Sequence, residues 1–373
     1  MSAKSPVSKL KQFGQSIWLD YIERRILEDG TLRHMIQDDG VCGMTSNPAI
    51  FEKAIVDSHD YDAAIRELTR RQASSEEMYE RLAIYDVKKA ADLFEPVFQR
   101  NDGGDGFVSL EVSPRLAHDT GKTIDEARRL WRLLERPNVM IKVPGTREGL
   151  PAIRALIAEG ININVTLLFS VKRYKEVTEQ YIAGLEDRLE ANRPVDHIAS
   201  VASFFLSRID SKVDPLLDKL AESGDADKGR LARDLRGQAA IASAGLAYGH
   251  WREIFGDERW QRIAASGGRK QRLLWASTST KDPSYSDVKY VESLIGPDTV
   301  NTVPMQTLSA YRDHGHPEAR LQQVVEQAPR LMQQLGELGI DIEAVDAELE
   351  NEGVRKFVEP FDHMLETLEQ VKH

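Results

Sequence analysis

The stretch Pro137–Gly145, PNVMIKVPG, governs how the rest of the chain is read. Pro137 opens a short apolar run and Pro144-Gly145 closes it, the punctuation of a buried strand. Side chains alternate along a strand, so Val139, Ile141 and Val143 point one way, and Met140 and Lys142 the other. One face is wholly aliphatic and the other carries an ammonium. At the solvated tip of an edge strand such a lysine needs no special account. Within a sheet its charge is costly, and burial favours the neutral, nucleophilic amine that Schiff-base chemistry requires. The surrounding strands decide between the two readings.

Working outward, seven further runs read as strands: Ser16–Asp20, Val41–Asn47, Phe107–Ser113, Asn162–Ser170, Ile198–Phe205, Arg272–Thr278 and Thr299–Pro304, with Val139–Val143 fourth in order. Between them lie helical patterns: Tyr21–Met35, two helices after Pro48 with Glu76–Phe94 the stronger, Thr120–Glu135, Arg147–Glu159, Val171–Glu190, and a long region Asp210–Ser266 broken near Ser223-Gly224. No hairpin signal intervenes. Eight strands alternating with helices predict a parallel sheet closed into a (β/α)8 TIM barrel. After the eighth strand helical periodicity runs from Met305 to Val371. The absence of repeats and of a Pro/Ser-rich linker predicts one domain over 1–373, with a core of about 16–315 and a C-terminal helical extension of about 316–373. These last helices are expected outside the barrel or beside its catalytic face.

With 60 acidic against 49 basic residues, the net charge of −11 argues against a nucleic-acid-coating protein, while leaving room for a local cationic pocket. The single cysteine, Cys42, excludes an intrachain disulfide and fits a reducing compartment. The first residues lack the apolar core of a signal peptide, and no 18-residue apolar run follows, so a cytoplasmic protein with no membrane partner is expected. No clustered His/Cys spacing suggests a metal.

Active sites of such barrels sit at the C-terminal ends of the strands. The polar residues there are Asp20, Thr45, Asn47, Glu111, Lys142, Asn164, Thr166, Ser203 with Arg208 just beyond, and Ser277. Taken singly, several have structural readings. Asp20 suits an N-cap, Asn47 before Pro48 suits a turn, and small hydroxyls are common on tight strands. A carboxylate at Glu111, between Leu110 and Val112, is harder to explain as a solvated charge. Asn164 and Thr166 are expected to share a strand face with Leu168. A polar group closing strand after strand is not a product of packing alone.

The segments TSNPAIF (45–51), SLEVSPRL (109–116), MIKVPGTREGL (140–150), INVTLLFS (163–170), SFFLSRID (203–210), WASTSTKDP (275–283) and VNTVPMQTL (300–308) closely resemble transaldolases. The likeness runs from about Trp18 to Gly315, and the C-terminal helices fit the longer bacterial and plant-like branch. It implies a class I aldolase-type barrel that transfers a dihydroxyacetone unit from sedoheptulose 7-phosphate to glyceraldehyde 3-phosphate in the pentose phosphate pathway, without metal or organic cofactor. Carried over, Lys142 forms the Schiff base, Asp20 is the base on the C4 hydroxyl, and Glu111 moves protons through a water that Thr166 helps to hold. Asn47 and Asn164 bind the hydroxyls of the covalent intermediate, and Ser203 lies in the same substrate-binding set. Fructose-6-phosphate aldolases, the alternative within the family, carry Gln at the Glu111 position and Tyr at the Phe205 position. Glu111 and Phe205 therefore favour a transferase, although Phe205 also suits core filling. A non-catalytic sugar-phosphate sensor would have replaced one of Asp20, Glu111 and Lys142, and all three are present. The partners implied are sugar phosphates, with the chain a monomer or homodimer.

One departure stands out. Transaldolases of the best-known type hold phosphate with two arginines and a serine after the sixth and seventh strands. Arg208 and Ser277 match one arginine and the serine, but the second arginine position is Ser279. The nearest cation is Lys281, either the missing phosphate contact or a surface lysine paired with Asp282.

Overall fold

The computed structural model describes residues 5–371. Strands β1 (Gln15–Asp20), β2 (Gly43–Thr45), β3 (Phe107–Glu111), β4 (Val139–Pro144), β5 (Ile163–Leu168), β6 (Ser200–Phe205), β7 (Arg272–Ala276) and β8 (Thr299–Val303) are all parallel. They close in sequence order, with β8 paired to β1. Closure leaves no edge strand. Lys142 therefore cannot be an edge-strand tip, and β4 is buried along its whole length. The register then fixes neighbours: Glu111 lies opposite Lys142, Lys142 opposite Asn164, and Asp20 opposite Thr45. Residues paired laterally in a parallel sheet share a face about 4.8 Å apart, so these groups project together into the barrel.

The N-terminal end of the barrel is filled by Trp18, whose indole leaves no room for a side chain at residue 43. A Cβ on Gly43 would lie 2.5 Å from the ring. The indole Nε1 donates to Asp105 Oδ1 at 2.7 Å, Ser16 also donates to Asp105, and Arg272 pairs with Asp105 at 3.3 Å.

Several expected elements are corrected. The helix Tyr21–Met35 is broken into Arg24–Glu28 and Thr31–His34, followed by a wider turn over Met35–Asp39. Glu23 is extended because Arg24 is held elsewhere: its N–H donates to Tyr61 Oη, and its guanidinium pairs with buried Asp86 at 3.0 Å. Gly30, at φ 91°, then separates the two pieces. Three helices follow β2, not two: Pro48–Val56, Asp62–Arg70 and Ser75–Arg100. The second strand is only three residues long. The region 207–265 holds four helices, with breaks beyond the one expected near Gly224. In β5 a bulge between Val165 and Leu168 pairs Val165 with Ala202 but Leu168 with Phe204. The extra residue turns Leu168 away from Asn164 and Thr166, contrary to the expected alternation. Leu167 absorbs the bulge at φ 60°, an uncommon conformation for a residue with a Cβ.

After β8 come helices Met305–His314, Leu321–Glu337 and Ile342–Gln370. Leu321–Glu337 packs against Ala239–Ile254, while Ile342–Gln370 spans the C-terminal mouth of the barrel, touching β5 and the helices that follow β2 and β6. Among the described residues no helix is long and apolar enough to cross a membrane.

Candidate active site

A cavity of about 880 Å³ opens at the C-terminal ends of the strands. Ten residues singled out from the sequence line it: Asp20, Thr45, Asn47, Lys142, Thr166, Ser203, Phe205, Arg208, Ser277 and Lys281. Glu111 and Asn164 are buried on either side of Lys142, in register with it on β3 and β5.

Lys142 is the centre. Its Nζ sits 3.2 Å from Glu111 Oε2 and donates to the Ser46 carbonyl at 3.1 Å, with side chains only 5% and 3% exposed for the pair. Charge holds the pair together, because among the described residues neither Glu111 oxygen accepts a well-formed hydrogen bond, and Thr166 Oγ1 has no partner either. Burial pushes Glu111 up to about 7, against the pull of Lys142, and Asp20 adds to the push. A group titrating there can both give and take protons near neutrality.

Asp20 is not a helix cap. Its Oδ1 accepts from Thr45 Oγ1 at 2.7 Å, and Thr45 Oγ1 lies 2.7 Å from Thr302 Oγ1. Burial raises the Asp20 carboxyl above its ordinary value, opposed by Lys142, the Thr45 hydroxyl and Lys281. Asn47 does cap a helix, accepting from Ile50 N at 3.0 Å through Oδ1, and also lines the cavity. Asn164 donates to Ser109 Oγ at 3.0 Å and accepts from Ser203 Oγ at 2.7 Å, a chain linking β3, β5 and β6.

At the far side, the loops after β6 and β7 are tied together. Ser207 N donates to the Ser277 carbonyl at 3.1 Å, and the two hydroxyls lie 2.8 Å apart. Ser277 holds φ at 54°, a strained position for a non-glycine residue. Arg208 lies over the Phe205 ring at 5.5 Å with a buried Nη1 lacking a partner, and burial lowers its pKa. Lys281 is exposed by surface area yet lines the cavity, and partial burial and the charge of Arg208 hold it below the usual lysine value. Asp282 is not its partner, since that carboxylate pairs with Arg236 at 2.6 Å. Two cations crowding a cavity rim is the arrangement an anion relieves.

The family model described as transaldolase/fructose-6-phosphate aldolase matches residues 17–368. The chain belongs to this family. A relative named Transaldolase 2 from Nostoc sp. is 48% identical, covering 97% of this chain and 96% of its own. Proteins named Transaldolase from Saccharopolyspora erythraea and Mycobacterium bovis are 46% and 45% identical, over 99% and 98% of this chain and 98% and 97% of their own. The family match extends through the C-terminal helices, which place Lys356 and Phe357 on the cavity wall. Sequence reasoning missed both, and missed Thr302, whose hydroxyl meets the Thr45 hydroxyl that donates to Asp20. Thr302 was accessible as one of the two polar residues of VNTVP, but Phe357 reads as one apolar position among many on a helix.

Proposed function

We propose that the chain carries out the transaldolase reaction, passing a dihydroxyacetone unit from sedoheptulose 7-phosphate to glyceraldehyde 3-phosphate and giving erythrose 4-phosphate and fructose 6-phosphate. The observation that carries this reading is the buried Lys142–Glu111 pair at 3.2 Å, opening on a cavity shared with Asp20. Lys142, as the free amine, attacks the ketose carbonyl to give a carbinolamine. Glu111 takes and returns protons through a water near Thr166, and loss of water leaves the iminium. Asp20 removes the C4 hydroxyl proton, the C3–C4 bond breaks, and its electron pair flows into the iminium to give an enamine while the aldose leaves. The acceptor aldehyde then takes the enamine carbon, and hydrolysis frees Lys142. The iminium is the electron sink, so the route calls for no cofactor. Asn47 and the Asn164–Ser203 pair grip the three-carbon hydroxyls, and Arg208, Ser277 and Lys281 hold the phosphate. The free Cys42 agrees with a reducing, cytoplasmic setting.

Borohydride reduction in the presence of fructose 6-phosphate, followed by mass analysis, tests this. One three-carbon adduct per chain on Lys142 is expected. An adduct on Lys172 or Lys281 with Lys142 unmodified would overturn it. Fructose-6-phosphate aldolase activity, the other reaction named for the family, would appear as rapid dihydroxyacetone release without an acceptor.

A further inference from the structure

The helix Ile342–Gln370 crosses the mouth of the barrel under several restraints. Before its midpoint, Glu350 pairs with Arg173 at 3.3 Å and Glu352 with Lys212 at 2.5 Å. After it, Asp362 pairs with Arg115 at 2.7 Å and His363 meets Glu52 at 2.8 Å. These partners belong to segments following β5, β6, β3 and β2, so the helix is strapped to both sides of the mouth. Gly353 lets it settle close. A Cβ there would lie 3.1 Å from Leu167 and 3.2 Å from Phe169, the strained and bulged part of β5. One turn further on, the ring of Phe357 lies 5.4 Å from Lys142 Nζ and 6.5 Å from the ring of Phe205. It is 4% exposed and lines the cavity itself.

An enamine on Lys142 has two fates. An aldehyde takes its carbon, or a proton does. In the second case water adds to the resulting iminium carbon, the amine of Lys142 leaves, and free dihydroxyacetone departs. The first is transfer and the second is waste. Both routes end with water hydrolysing an iminium, so they part earlier, at the enamine carbon. An apolar ring beside Lys142 keeps water, the proton source, from that carbon more than it hinders an aldehyde entering from the open, phosphate-binding side. We infer that Phe357, carried over Lys142 by the C-terminal helix, keeps water from the covalent three-carbon intermediate and so sets the ratio of transfer to release. This rests on the Schiff-base reading of Lys142. Phe357 is a specificity-determining residue in this account, and filling space is only part of its work.

The test compares the parent protein with Phe357→Ala and Phe357→Leu. It measures dihydroxyacetone released from fructose 6-phosphate, transfer to erythrose 4-phosphate, borohydride trapping on Lys142, and thermal melting. In the Ala variant trapping should persist, while release per transfer rises about tenfold as water gains access. Leu should restore most of the parent ratio, because apolar volume excludes water whether or not it is aromatic. An unchanged ratio in a folded Ala variant that traps normally would overturn the inference alone, as would a rise with Leu equal to that with Ala. If the Ala variant does not fold, the double change Arg173→Ala and Lys212→Ala decides, since it removes the restraints on Glu348, Glu350 and Glu352 that hold the half of the helix before Phe357, with neither residue lining the cavity. A raised ratio there supports the inference, and an unchanged one overturns it. Absence of any Lys142 adduct in the parent protein would overturn the Schiff-base reading and this inference with it.

Discussion

The two ends of the barrel each hold an ion pair, and they treat it oppositely. At the N-terminal end Asp105 accepts from Trp18 and Ser16 and pairs with Arg272, which itself reaches Ser16 at 2.8 Å and the Gly104 carbonyl at 3.1 Å. Each charge there is surrounded by partners. At the C-terminal end Glu111 faces Lys142 with both oxygens free of hydrogen bonds, and Thr166 Oγ1 and Arg208 Nη1 are likewise unpartnered among the described residues. Buried polar groups are normally satisfied. Gln15 and Gln271 also leave amide oxygens unpartnered near the N-terminal end, but at the mouth the unsatisfied groups surround a charged pair beside a cavity, where a ligand can supply the missing contacts. One end of the fold is spent on stability, the other on reaction.

Emptying the reactive end should separate activity from folding most sharply at Lys142. Lys142→Met keeps the unbranched stem and removes the amine. Glu111 then loses the cation that lowers its pKa and stays protonated at neutral pH, so no bare charge is left buried. The variant should melt near the parent temperature yet lose about a thousandfold or more of its activity, since the covalent route is gone. Next come the two carboxylates, each expected to cost about a hundredfold or more. Asp20→Ala should accumulate the trapped six-carbon adduct, because bond cleavage lacks its base. Glu111→Gln should slow trapping itself. Faster six-carbon trapping in the Glu111 variant than in the Asp20 variant would reverse the assignment. Burial raises Glu111 to about 7, so below that pH it is protonated and no longer a base. The parent trapping rate should therefore fall as pH drops through about 7, and Glu111→Gln should erase that inflection.

The opposite end should respond in stability alone. Asp105→Asn keeps the shape and strands Arg272 beside a neutral amide. The pair is partly exposed, at 12% and 19%, so the cost should be about 2 kcal/mol, below that of a fully buried pair. Urea unfolding reads this directly. A loss of kcat per folded molecule would show that the two ends are coupled and break the division drawn between them.

How much of this was legible in the sequence follows from the range of each signal. The strands were readable because apolar runs bounded by Gly, Pro and Asn are local facts, and their polar ends located the mouth of the barrel. Register was not readable. Only the closed sheet shows that Glu111, Lys142 and Asn164 occupy neighbouring positions on three strands. The β5 bulge was hidden for a related reason: nothing in VTLL marks which residue is extra, and Leu167 bears the strain without being glycine. The broken helix after β1 is a tertiary override, with Tyr61 and Asp86 holding Arg24 from far along the chain. Phe357 is the extreme case, since its partner Lys142 is more than two hundred residues away and its own helix is ordinary in pattern.

The side proposed to hold phosphate offers the smallest and most discriminating effect. Arg208 has a buried nitrogen without a partner, and Ser279 stands where a second arginine was expected. A guanidinium binds phosphate through a rigid two-pronged contact, and a hydroxyl does not replace it. Lys281 reaches the cavity while donating to Ser279 Oγ at 2.6 Å, and its neighbour Asp282 is engaged by Arg236, which also pairs with Asp218 at 2.9 Å. The carboxylate that would have neutralised Lys281 is thus held elsewhere, which leaves the ammonium open to the phosphate in the proposed reaction. Being a mobile point charge near the surface, it should contribute less than Arg208. The expected rise in KM for fructose 6-phosphate is about tenfold for Arg208→Ala and about threefold for Lys281→Ala, with kcat little changed. Unphosphorylated fructose should show neither effect. Asp282→Ala should leave KM nearly as it is if Lys281 works alone, and should raise it if the Arg236–Asp282 pair fixes the loop. An unaltered KM in Lys281→Ala would mean that Arg208 and the hydroxyls of Ser207, Ser277 and Ser279 carry the phosphate without a second cation.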